Sequence, residues 1–158
     1  MKNEAHLKAK GVVSIEVLLL FPFIVGILYA SAYYSILFSW QYRMQNVVDR
    51  SVSEALYFDR SRVVVAEGET ESDRIREEVL NRAGDLLQSA GPVSLPTGVA
   101  AALDFEEACF VQNSNLVCDL SLSQEKIEEL LPSVGFGFLG KFPPAPSAGI
   151  SAKSVVAF

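Results

Sequence analysis

The chain has 158 residues, half of them apolar and a fifth charged, and its mean hydropathy is positive. That balance excludes a disordered tail or a collagen-like chain, and the length predicts one domain at roughly 150 residues per domain. With 13 basic and 19 acidic side chains the net charge is -6. Nucleic-acid binding needs clustered Lys and Arg, so no nucleic-acid partner is expected. One His and two Cys are too few for most all-protein zinc sites, and no cofactor or metal is expected.

Residues 1–11, MKNEAHLKAKG, carry Lys2, Lys8 and Lys10 against Glu4. No charge then occurs between Glu16 and Arg43, a gap of 26 residues, and Val17 to Trp40 reads VLLLFPFIVGILYASAYYSILFSW. A membrane-spanning helix needs about 20 apolar residues, because each adds about 1.5 Å against a hydrocarbon core of about 30 Å. A transmembrane helix is therefore expected over residues 12–42. The excess of basic residues at the start places residues 1–11 in the cytoplasm, as a leader, with the rest across the membrane. From Arg43 onward the chain has 10 basic and 17 acidic residues, a balance that suits an exported domain.

The N-terminus has three readings. Ala30-Ser31-Ala32 fits the small-residue pattern of a secretory cleavage site, but the apolar run continues beyond it as YYSILFSW. An uncleaved single-pass anchor is the second. The third starts from Gly11, followed by Val12-Val13-Ser14-Ile15-Glu16. A carboxylate this close to hydrocarbon is costly without a partner. Cleavage after Gly11 would create an α-amine on Val12, cationic at neutral pH. Glu16 would lie about 6 Å along the helix from it, and pairing with such an amine offsets the desolvation of both charges.

Pro22 follows Glu16 by six positions, and Gly26 comes next. The segment GVVSIEVLLLFPFIVGIL, with its short basic leader, resembles the N-terminus of TadE-like proteins, minor pseudopilins of the tight-adherence (Tad, Flp) pilus assembly system. The likeness covers about Lys10 to Asn46, a quarter of the chain. It implies a pilin-like α+β fold, with a long N-terminal transmembrane helix continuing into a small exported domain that has a β-sheet and one or two short helices. It implies a non-catalytic structural subunit of a Tad/Flp type IV pilus, cut after Gly11 by a prepilin peptidase. The implied partners are that peptidase, pilin and other pseudopilin subunits, the inner-membrane assembly complex and the lipid bilayer. The implied location is the bacterial inner membrane, with the C-terminal domain periplasmic or extracellular. The alternative is a single-pass anchored exported domain acting as a binding or sensor module.

Within the apolar run, Pro22 removes one helix hydrogen bond and predicts a bend. Ser31, Ser35 and Ser39 recur on one face beside Ala32 and suit close helix packing. Tyr29, Tyr33, Tyr34, Trp40 and Tyr42 are expected to mark the far membrane interface. Met44, Val47, Val48, Val52, Ala55, Leu56 and Tyr57 keep helical spacing, so the helix is expected to continue through residues 43–62. As one helix from Val13 to Phe58 it would measure about 68 Å.

Residues 63–158 form the expected α+β domain. Val63-Val64-Val65 suggests a short strand, and GETESD a charged linker. A helix is predicted over Asp73 to Ser89, with Ile75, Val79, Ala83, Leu86, Leu87 and Ala90 as its apolar stripe. Ser72 is its expected cap and Gly91-Pro92 its end. GPVSLPTGV reads as a loop. Ala102 to Leu122 reads as a β-hairpin turning at Asn113-Ser114, which pairs Cys109 with Cys118, Phe110 with Val117 and Val111 with Leu116. In that register the pair 109:118 is non-hydrogen-bonded, with the close Cα spacing a disulfide needs. One face then carries Phe105, Cys109, Val111, Leu116, Cys118, Leu120 and Leu122. Ser123 is expected to cap a short helix, QEKIEELL, that Pro132 stops, and GISAKSVVAF to form a last strand.

Residues 135–141, GFGFLGK, match a dinucleotide fingerprint and most of a phosphate loop. Phe142 stands where the phosphate loop needs Ser or Thr, and Phe-Pro-Pro follows instead of a helix. His6 would leave with the leader, so no histidine would remain for nucleophilic catalysis. Glu106-Glu107 and Glu128-Glu129 read as solvated surface. No enzyme activity is expected.

Overall fold

The computed structural model describes residues 4–57, 70–112, 115–135, 137 and 140–157. The Val63–Val65 strand and the Asn113-Ser114 turn lie outside the described residues.

The first helix, α1, runs over Glu4–Leu56, 53 residues with Pro22 inside it. At 1.5 Å per residue it is about 80 Å long. It begins before Gly11, so residues 4–11 of the basic leader are helical too. Its C-terminal half has one buried face, made of Tyr33, Leu37, Met44, Val48, Val52 and Ala55. Their spacing of three, four and seven residues keeps them on one side of a 3.6-residue helix. Ser51, also on this face, donates its hydroxyl to the Val47 carbonyl at 2.9 Å, which satisfies the buried group within the helix.

The second helix, α2, spans Glu71–Ser94. Thr70 caps it, not Ser72: the Thr70 hydroxyl accepts from the Asp73 amide at 3.3 Å. Gly91-Pro92 does not end it. Pro92 sits in the last turn, and the Leu95 amide still reaches the Gly91 carbonyl at 3.1 Å. The glycine has a packing role, because a Cβ there would overlap the Phe105 ring. The stretch read as a loop holds a short helix, α3, over Thr97–Ala102.

The hairpin starts later than expected. Its strands are β1, Cys109–Gln112, and β2, Asn115–Leu122. α3 takes Ala102, and the Asp104 side chain accepts from the Glu106 amide at 2.9 Å, which turns the chain before β1. The expected register holds: Cys109 faces Cys118, Phe110 faces Val117 and Val111 faces Leu116. Helix α4, Gln124–Leu130, follows with Ser123 as its cap. Two short strands, β3 (Val134–Gly135) and β4 (Lys141–Phe142), form a separate antiparallel pair. The last strand, β5, Ile150–Ala157, pairs with β2, so the main sheet has the order β1-β2-β5. Gly149 enters it at φ +70, and a Cβ there would strike the Leu122 carbonyl.

The sheet packs its Leu116, Cys118, Leu120, Leu122 and Ala152 face onto Met44, Val48 and Val52 of α1 and Val79, Ala83 and Leu87 of α2. The α+β layout expected from the sequence is thus observed: one long apolar helix, then a small domain with a sheet and short helices.

Candidate functional site

α1 divides into two halves of different chemistry. Every large apolar side chain between positions 15 and 28 is 47% to 71% exposed, on all sides of the helix. The rest of the chain covers none of the most apolar window. A core helix of a soluble domain is buried by its own domain, and this one is not. Gly11 and Val12 lie in the first turns of α1. Glu16 is exposed on the bare half and has no hydrogen-bond or ion-pair partner among the described residues. Pro22 is exposed as well.

The domain reaches back along α1 further than the aromatic pattern suggested. A Cβ on Gly26 would lie 4.0 Å from the Phe142 ring. The Tyr29 hydroxyl donates to the Pro132 carbonyl at 2.6 Å, and the Tyr34 hydroxyl to the Pro144 carbonyl at 3.1 Å. Tyr33 is buried at 3% exposure, edge-on to Tyr34 with ring centroids 5.6 Å apart. Four of the five residues read as an interfacial belt therefore pack against the domain, Trp40 at the edge of its core, while Tyr42 remains 74% exposed. Domain contacts begin inside the 12–42 stretch, near Gly26. Ser31, Ser35 and Ser39 lie beside this junction and stay exposed. The tyrosine–proline contacts were not visible in the sequence, because they join positions more than 100 residues apart.

The Tyr33 hydroxyl is buried without a hydrogen-bond partner among the described residues. An unpaired buried hydroxyl costs free energy that its ring does not. Tyr33→Phe is expected to leave the melting temperature unchanged or higher. Tyr33→Ala should cost about 3 kcal/mol or more through the cavity it leaves. Thermal unfolding of the two variants checks the pair.

The β3–β4 hairpin is tied to α4 by an ion pair between the Lys141 ammonium and the Glu128 carboxylate. Gln124 donates to the same carboxylate at 3.0 Å. The hydrogen bond from Lys141, then that from Gln124, hold the Glu128 carboxyl below its ordinary value. A depressed carboxylate stabilises the fold above its unfolded pKa, near 4.3, and that contribution is lost as pH falls through the folded value. The melting temperature should fall on acidification in that range, and the fall should be smaller in Glu128→Gln.

The Cys109–Cys118 disulfide forms, with the Cα atoms 4.1 Å apart. It links β1 to the central strand beneath α2. Gly135 and Lys141 of the glycine-rich segment are strand residues of the hairpin, no helix follows among the described residues to receive a phosphate, and Lys141 is engaged by Glu128. No group of three metal-ligating side chains occurs among the described residues. The hollow lined by Gln88, Leu103, Asp104, Phe105 and Glu106 is open and holds no nucleophile–base pair.

Fold and site together define a class: a transmembrane helix that also serves as the spine of a small, disulfide-stapled α+β domain. Comparison with protein-family models, curated proteins and solved structures found no match to this chain.

Proposed function

We propose that this chain is a non-catalytic pseudopilin-like subunit of a Tad/Flp pilus assembly system, cut by a prepilin peptidase after Gly11. The observation that carries the reading is the division of α1. Its large apolar side chains between positions 15 and 28 are bare on every side, and the same uninterrupted helix is the spine of the domain. A subunit built this way stores in the bilayer by its bare half and assembles with others through it. Glu16 supports the reading: a carboxylate in this setting needs a cationic partner. The amine of Val12 on a neighbouring subunit, exposed by cleavage, supplies one. The excess of basic residues in the leader supports a cytoplasmic position for residues 1–11. The disulfide fits a domain in the oxidising compartment outside the inner membrane.

The test is the mature N-terminus of the protein recovered from its own membrane. A chain starting at Val12 is expected. A start at Met1 would turn the assignment towards a single-pass anchored binding or sensor module, and a start at Tyr33 towards a secreted domain. With cleavage intact, Glu16→Gln is expected to weaken co-purification with other pilus subunits, and unchanged association would remove the role given to Glu16.

A further inference from the structure

We propose that the β3–β4 hairpin is a second membrane-contact site, which lays the face formed by the paired Val134 and Phe142 into the leaflet on the domain side of the bilayer. The proposal rests on the transmembrane helix alone and not on the pilus reading.

The length of the bare helix is the first argument. Residues 11–28 are the 18 positions between the last leader charge, Lys10, and the first tyrosine held by the domain. At 1.5 Å per residue they measure about 27 Å, slightly less than the hydrocarbon core of about 30 Å. To cross the core with this stretch, the helix must draw the adjoining edge of the domain down onto the lipid.

That edge is the hairpin. Pro144 lies beside Tyr34, and Phe142 lies beside Gly26, so β4 read backwards runs along α1 towards its bare half. Pro132, just before β3, is held by Tyr29 at the same end. Val134 and Phe142 are directly paired across the hairpin, so their side chains share one face. Both are exposed, Val134 at 50% and Phe142 at 37%. In water an exposed apolar pair is a cost, and against lipid it becomes buried area continuous with that of the helix.

Charge is the third argument. From Val134 to Phe142 the sequence reads VGFGFLGKF, in which Lys141 is the only charged residue. Its ammonium is engaged by Glu128 on the domain side. The hairpin therefore approaches the bilayer without an unpaired charge to desolvate. A second protein could also cover an apolar face, but a partner at this height on α1 would have to displace the lipid that surrounds the adjoining bare helix.

The test uses the full chain in vesicles of phosphatidylethanolamine and phosphatidylglycerol, doped with a phosphatidylcholine spin-labelled high on its acyl chain. The native cysteines are joined, so an introduced cysteine carries a polarity-sensitive dye alone. Val134→Cys labels the exposed face. Gly135→Cys labels the opposite face of the hairpin, which it shares with Lys141, at a position where an added Cβ meets no atom within 4 Å. Val93→Cys is the control: Val93 is 86% exposed, next to Ser94, whose carbonyl is held by Arg43 far along α1. Dye at 134 is expected to shift to the blue and lose most of its emission to the spin label, while dye at 93 keeps both its colour and its intensity. Dye at 135, on the opposite face of the hairpin, is expected to shift less and to be quenched less than dye at 134. Emission at 134 that matches position 93, or stronger quenching at 135 than at 134, would overturn the proposal. So would a blue shift without quenching, which assigns the face to protein and not to lipid.

Discussion

Gly11→Trp is expected to leave the chain uncut, so that its intact mass in the membrane retains residues 1–11. The reasoning starts from the backbone. Gly11 lies within α1, and a helical peptide bond is not presented to a protease until the helix opens locally. Glycine is the weak point of such a helix, costing about 0.5–1 kcal/mol relative to alanine, and it lets another backbone approach without a Cβ between them. Tryptophan removes both properties. It changes nothing in the domain, whose contacts with α1 begin near Gly26, so its thermal unfolding should match that of the parent. An anchored module that is never processed would retain residues 1–11 with glycine and with tryptophan alike. Intact-mass measurement on the two proteins, purified side by side from the same membrane, separates these outcomes.

Removing the disulfide is expected to lower the stability of the domain substantially. Cys109 and Cys118 close a loop with a sequence separation of 9, for which loop-closure entropy predicts about 2.5 kcal/mol. In a domain of this size that corresponds to a fall of about 10–20 °C in melting temperature. Cys109→Ala with Cys118→Ala is the appropriate pair, because Cys118 is fully buried and a serine hydroxyl there would be unpaired. The reason for the size of the effect is the small core. β1 has four residues and is held to the domain by β2 on one side and α2 on the other. The same cysteines report the side of the membrane. Trapped in intact cells with a thiol reagent, they should be unreactive until a reductant is added. Free thiols at that step would place the domain in a reducing compartment and sink the exported topology.

Periodicity made much of this fold legible. Charge-free length marked α1, and the three-and-four spacing of Met44, Val47, Val48 and Val52 carried it into the domain. The register of the hairpin followed from placing Cys109 opposite Cys118 with two residues between the strands. Ser123 before QEKIEELL marked α4. These signals are local, so each is complete within one stretch of chain. Capping and breaking were read less well. Ser72 and Thr70 are both good caps by type, and only the path of the backbone selected Thr70. Gly91-Pro92 carries a strong stop signal, yet the helix runs through it to Ser94, and Gly91 instead makes room for the Phe105 ring from elsewhere in the chain.

The sequence by itself determined that this protein carries one helix able to cross a membrane, an acidic domain after it, and one cysteine pair placed to bridge. Those are properties of composition and spacing, and they survive whatever the chain packs against. Where the bare helix ends and the domain begins was decided only by the tertiary structure. Tyr29, Tyr33 and Tyr34 have the amphipathic character of interfacial anchors and of docking groups alike. What separates the two roles is whether a carbonyl from a distant segment, here Pro132 and Pro144, arrives within hydrogen-bond distance.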